Sequence, residues 1–201
     1  FLTHNVNTPL TVLMNLIREL AAVPSNKKEA AKIGEMEDCV QEINDIVQNV
    51  LISFRLTDGR QTLWLEPVEL SEELERTVRE ISKRAEQKKQ SISVNKPGNV
   101  PRILADRTSV RGILYNLIDN AVKFTPSGGA VTISVSGEHD VRITVCDTGP
   151  GIPLEDRTRL FQRFERLSPR PTGGEASTGL GLHVSRELAV MNGGSLEYGA
   201  D

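Results

Sequence analysis

Asn116, Asn120 and Lys123 stand at i, i+4 and i+7, so a helix brings them onto one face, opposite an apolar one. Two amides and an ammonium in a row suit a hydrated Mg²⁺ and phosphate oxygens. A solvated polar stripe has the same pattern. Asp147-Thr148-Gly149-Pro150-Gly151 follows a strand-like run. A carboxylate at a strand end can accept a hydrogen bond from an exocyclic amine, and the glycines let backbone approach a flat ring; a plain turn also reads this way. Ser177-Thr178-Gly179-Leu180-Gly181-Leu182 opens a helical pattern. Free amides at a helix start bind phosphate, although a Gly-rich loop end needs no ligand.

The elements that must position these residues follow from periodicity. Leu2, Val6, Leu10, Leu13, Ile17 and Leu20 recur at helical steps, and Pro24, Ser25 and Asn26 break the pattern. Ile33, Met36, Val40, Ile43, Val47, Val50 and Phe54 form a second, heptad-like seam that ends in turn residues at 57–60. Two helices joined this way make an antiparallel hairpin. Each buried Leu or Ile contributes roughly 1.5–3 kcal/mol, so leaving half a dozen wet costs on the order of 10 kcal/mol. A symmetric dimer forming a four-helix bundle removes that cost; packing against the following domain is the rival.

Beyond about residue 61, strand and helix signals alternate. Strands are expected at 63–68, 91–95 and 102–105, with a hairpin from 131–136 and 141–146. Helices are expected from Ser71, a candidate N-cap, to about Lys88, over 108–123, and over 180–191. Residues 150–178 read as loop around a short helix near Leu160. Helices on one face of a mixed, largely antiparallel sheet make an α+β sandwich. The expected division is 1–60 and 61–201.

A net charge of −3 gives no footprint for nucleic acid or an anionic membrane. No apolar run reaches the roughly 18–20 residues of a membrane span, so no direct membrane contact is expected of this stretch. Cys39 and Cys146 lie far apart, which suggests neither a disulfide framework nor a zinc site and points to a reducing, cytoplasmic compartment. The chain opens in a helical pattern without Met and stops after a Gly-Gly turn. It reads as a piece of a longer protein, truncated at its C-terminal side, that could be membrane-anchored. No βαβ unit surrounds the glycines, and no Walker A or protein-kinase signature occurs.

Taken in order, the three clusters resemble the N, G1 and G2 boxes of the histidine-kinase ATPase domain, of the GHKL superfamily. Phe161-Gln162-Arg163-Phe164 resembles its F box. The resemblance implies a Bergerat-type ATP-binding sandwich with ATP and Mg²⁺ as cofactors. It assigns the metal to Asn120, with Asn116 and Lys123 near the phosphates and the adenine amine on Asp147. Gly149, Gly151, Thr178, Gly179, Gly181 and Leu182 line the nucleotide. The segment between G1 and G2 acts as a lid, from which Arg163 and Arg166 are candidates to reach the γ-phosphate. Ser177 stands where the family often has the first glycine of G2.

His4-Asn5-Val6-Asn7-Thr8-Pro9-Leu10 resembles the H box of the same kinases. That implies a sensor histidine kinase core with a phosphotransfer hairpin (HisKA type) that is homodimeric and autophosphorylates His4. The phosphoryl then passes to an aspartate on a response-regulator receiver domain. Thr8, one turn after His4, is implied in dephosphorylating that regulator. Asn5 replaces the family's acidic residue; an amide can hold an imidazole nitrogen but cannot take its proton. The second reading is therefore a dimeric signalling module that binds nucleotide or a partner without phosphotransfer. A gyrase- or MutL-type ATPase lacks the upstream hairpin. His139 and His183 carry no expected catalytic role.

Overall fold

A computed structural model describes residues 13, 15–17, 27–58, 62–98, 100–138, 140–165, 167–173 and 179–199. His4, Asn5, Thr8, His139, Arg166 and Thr178 lie outside them. The chain divides into two compact units, Phe1–Gln61 and Thr62–Asp201.

In the first unit, helix α1 spans Lys27–Thr57. Ile33 and Val40, two turns apart on its seam, are buried in a small cluster with Ile17. Met36, Ile43 and Phe54 of the same seam stay exposed, Phe54 to 66%. No helix among the described residues is long and apolar enough to cross a membrane.

The second unit begins with strand β1 (Leu65–Val68) and helix α2 (Leu70–Gln87), then β2 (Ser91–Asn95), β3 (Ile103–Asp106) and helix α3 (Arg107–Phe124). The hairpin strands β4 (Ala130–Ser136) and β5 (Arg142–Asp147), a four-residue helix α4 (Leu154–Arg157) and helix α5 (Gly181–Met191) complete it. β4 is the central strand of a mixed sheet, parallel to β2 and antiparallel to β5. β1 and β3 form a separate antiparallel pair.

Burial explains these elements. On β4, Val131, Ile133 and Val135 point into the core while their neighbours point outward, the period of a half-buried strand. Leu70, Leu74, Ile81 and Ala85 of α2 and Leu114, Ile118, Ala121 and Val122 of α3 meet them from the helical layer. This is the α+β sandwich expected from the pattern.

Two local expectations shift. Ser71 is not the cap of α2: Glu69 holds that position without a side-chain bond, because Leu70 is already in the core and burial starts the helix there. The cap of α3 is Asp106, whose Oδ1 accepts from the Ser109 N–H and hydroxyl at 2.7 Å. The short helix lies at Leu154–Arg157, ahead of Leu160. Residues 195–199, after the Gly-Gly turn, form no strand.

Candidate functional site

Helix α3 is the wall of the site, and its apolar face is locked into the core. Its C-terminal carbonyls are capped from α2 and the turn that follows it. Lys88 Nζ donates to the carbonyls of Val122 and Lys123 at 2.8 and 3.0 Å, and Gln90 Nε2 donates to those of Val122 and Thr125. A cation at a helix C-terminus opposes the helix dipole favourably.

Asn116, Asn120 and Lys123 do share a face of α3, all partly buried, but they have different partners. Asn116 Nδ2 donates to Ser185 Oγ at 3.2 Å and reaches the Gly181 carbonyl at 3.5 Å. It thereby ties α3 to the first turns of α5. A methyl group on Gly181 would sit 3.3 Å from Asn116 Oδ1, so the small residue permits this approach. Asn120 makes no side-chain hydrogen bond among the described residues. Lys123 Nζ is 2.9 Å from Asp119 Oδ2.

Asp119 is the polar residue that the sequence reading passed over. It is 4% exposed and bridges two cations, with Arg84 Nη1 of α2 at 2.6 Å from Oδ1. A buried carboxylate is tolerated when its lone pairs are met by charged donors. Its position directly before Asn120 was the only local signal; Arg84 lies 35 residues away in sequence.

Beside the C-terminal end of α3, Asp147 closes β5. Its Oδ1 accepts from the Gly149 N–H at 2.8 Å, making a tight turn. A side chain on Gly149 would meet that oxygen at 2.6 Å and the Phe124 carbonyl at 3.0 Å, so glycine is required where the turn abuts α3. Asp147 itself is exposed, and Oδ2 makes no hydrogen bond among the described residues. Gly151 has φ +68° with open space around it, so its glycine serves conformation alone.

The third cluster begins α5. The cap Leu180 supplies no side-chain bond, and the first helical bond runs from Val184 N to the Leu180 carbonyl. The amides of Gly181, Leu182 and His183 precede it and have no intrahelical acceptor. Gly179, at φ +68°, runs against the backbone of Phe164 and Glu165, where a Cβ would come within 2.5 Å of the Glu165 carbonyl.

Between these clusters the chain is pinned by polar contacts. Buried Asp156 accepts from the Ser168 N–H at 2.8 Å and pairs with Arg159. Hydrogen bonds from Ser168, then from Arg159, hold its carboxyl below the usual carboxylate range against the effect of burial. Thr172 N–H and Oγ1 donate to the Lys123 carbonyl, and Oγ1 also to that of Thr125. Arg163 Nε lies 2.8 Å from His183 Nε2, and Arg186 stacks on the Phe161 ring. Among the described residues no three His, Cys, Asp or Glu side chains cluster to hold a metal.

Residues 105–201 match the family described as histidine kinase-, DNA gyrase B-, and HSP90-like ATPase. Over 98% of its length the chain is 28% identical to the non-motile and phage-resistance protein of Caulobacter vibrioides. Over 98% it is also 30% identical to the circadian input-output histidine kinase CikA of Synechococcus elongatus. It spans 24% and 27% of those two proteins. Full-length ShkA in complex with AMPPNP superposes with a TM-score of 0.73 at 31% identity, over 100% of this chain and 42% of that one. Residues 105–201 are thus similar to that ATPase family, and the unit from Thr62 onward is an α+β sandwich like that of the solved histidine kinase structures.

Proposed function

We propose that the chain is the core of a sensor histidine kinase that binds Mg·ATP and autophosphorylates His4. The carrying observation is that α3 meets the amide end of α5 through Asn116 and the Asp147 turn at Phe124. Those positions are eight residues apart, roughly 12 Å along the helix axis. A nucleoside triphosphate laid along this face sets its base against Asp147 Oδ2 and its phosphates against the α5 amides. The ShkA complex with AMPPNP supports the ligand class.

Asn120 fits a Mg²⁺ site because its side chain is partnerless among the described residues and an amide oxygen is a hard donor. With no carboxylate cluster nearby, the ion would rely on phosphate oxygens and water. When bound it neutralises phosphate charge. His4, as neutral imidazole, attacks the γ-phosphorus in line; the bond to the β,γ-bridging oxygen breaks and ADP leaves. The imidazole proton goes to solvent, since Asn5 cannot accept it. The phosphoryl then passes to an aspartate of a response-regulator receiver domain. Thr8 serves the reverse, dephosphorylating activity. Residues 1–60 supply the homodimeric hairpin, in a cytoplasmic setting.

The test is incubation with γ-labelled ATP and Mg²⁺. Acid-labile, alkali-stable label is expected on the unmodified chain and none on His4→Gln. Absence of Mg²⁺-dependent ATP binding by calorimetry would overturn the reading. Asn5 favours a second reading, a dimeric module that binds nucleotide without phosphotransfer, and binding without label would establish it. If Asn5 limits the rate as a missing base, Asn5→Glu speeds labelling by about tenfold or more; an unchanged rate removes Asn5 from the mechanism.

A further inference from the structure

Ser185 lies one turn past Gly181 on α5 and is fully buried, with Val184, Leu188 and Ala189 on the core side of the helix. A buried hydroxyl needs a hydrogen-bond partner. Its partner is Asn116 of α3, 69 residues earlier, whose Nδ2 donates to Ser185 Oγ at 3.2 Å and reaches the Gly181 carbonyl at 3.5 Å. A hydroxyl can donate or accept, so Ser185 alone does not decide which end of the amide it meets. The Gly181 carbonyl only accepts, and it does decide: the NH₂ group faces α5. Asn116 Oδ1 is left beside the Gly181 α-carbon, 3.3 Å from where a Cβ would stand, and has no donor among the described residues. An acceptor oxygen therefore stands next to the amide end of α5. It repels phosphate oxygens and attracts a cation or the hydrogens of a cation's water shell.

We infer that Ser185 is a positioning residue that locks the Asn116 amide with its oxygen toward the nucleotide, where it accepts from the water shell of the bound Mg²⁺; the inference rests on the nucleotide reading above. It changes one role within that reading, because Asn116 then serves the cation and not the phosphates. Mg²⁺ keeps several of its waters when it binds with phosphate, so an acceptor that meets the shell is useful without touching the ion. The two helices divide the work by polarity. The start of α5 offers N–H groups to the phosphates, and α3 offers amide oxygen to the cation side. Without the Ser185 hydroxyl the amide keeps only the longer contact to Gly181 and is freer to turn.

The experiment compares AMPPNP binding with Mg²⁺ by calorimetry for the whole chain and its Ser185→Ala, Asn116→Ala, Asn116→Asp and Ser185→Ala/Asn116→Ala variants. The expected loss is about tenfold for Asn116→Ala and about fivefold for Ser185→Ala, the size of one hydrogen bond. Asn116→Asp keeps an oxygen toward the cation and should lose less than about threefold. The double variant should be no weaker than Asn116→Ala alone, because Ser185 acts through that amide. A role of Ser185 in packing alone would carry its loss undiminished into the Asn116→Ala background. Unchanged affinity in Ser185→Ala, or losses that multiply in the double variant, would overturn the inference while leaving the nucleotide reading intact. So would binding by Asn116→Asp weaker than by Asn116→Ala, the order expected of an amide that donates to phosphate. That comparison leaves Ser185 in place, so it decides the direction of the amide even if Ser185→Ala does not fold. No binding by the unmodified chain would overturn both readings.

Discussion

Helix α3 is held by burial along its length, whereas the described residues between 149 and 179 contain one four-residue helix and are pinned at separate polar points. In α3, Leu114, Ile118 and Val122 are at most 2% exposed, and Asp119 and the end carbonyls all have charged or amide donors. In the second region, Asp156, Thr172, Arg163 and Gly179 hold the chain at separate points, with exposed side chains such as Phe164 between them. Few buried apolar contacts mean a low free energy of local opening. The candidate site thus has one wall that cannot move without unfolding and one that can open contact by contact. A ligand that must enter, react and leave needs both.

The sharpest break of this contrast is Asp119→Ala. It removes the buried carboxylate that Arg84 and Lys123 share at the centre of the fixed wall and should cost about 3 kcal/mol of global stability, measured by urea unfolding. A loss well under 1 kcal/mol would show that the α3 wall does not depend on this network. Asp147→Asn sits at the edge of both regions. The amide keeps the Gly149 turn but puts an NH₂ or leaves no anion where the adenine amine would bind. The expected change is about tenfold weaker ATP binding, with the urea midpoint unmoved. A matching drop in stability would make Asp147 a structural residue.

The smallest effect is confined to the second region. The Asp156 carboxyl is lowered in the folded state, so its contribution is fully present above the ordinary carboxylate range. It is lost as pH falls through the lowered folded value, below about pH 4. Limited proteolysis of residues 149–173 should therefore accelerate in the wild type only in that acid window. Asp156→Asn should be cleaved faster at neutral pH and show little further acid response. If both proteins are cut alike at pH 7, Asp156 is not a pin.

Much of this was legible in the residues themselves. The alternation of Val131, Ile133 and Val135, the spacing of Leu114, Ile118 and Val122, and the glycines at 149, 179 and 181 are local patterns. Local periodicity and φ demands act over a few residues, so they survive without knowledge of the fold. The caps did not follow: Ser71 reads as well as a cap as Asp106 does, and the burial of Leu70 chose between competing starts.

What the amino-acid order determined alone was therefore the set of elements and the residue types at the ends of α3 and α5. Tertiary structure alone decided which charges meet. Asp119 with Arg84, Lys88 and Gln90 with the end of α3, Thr172 with Lys123 and Arg163 with His183 all join positions 20 or more residues apart. Such pairings depend on how layers stack and on which polar groups burial leaves in need of a partner. Neither is encoded in spacing along the chain.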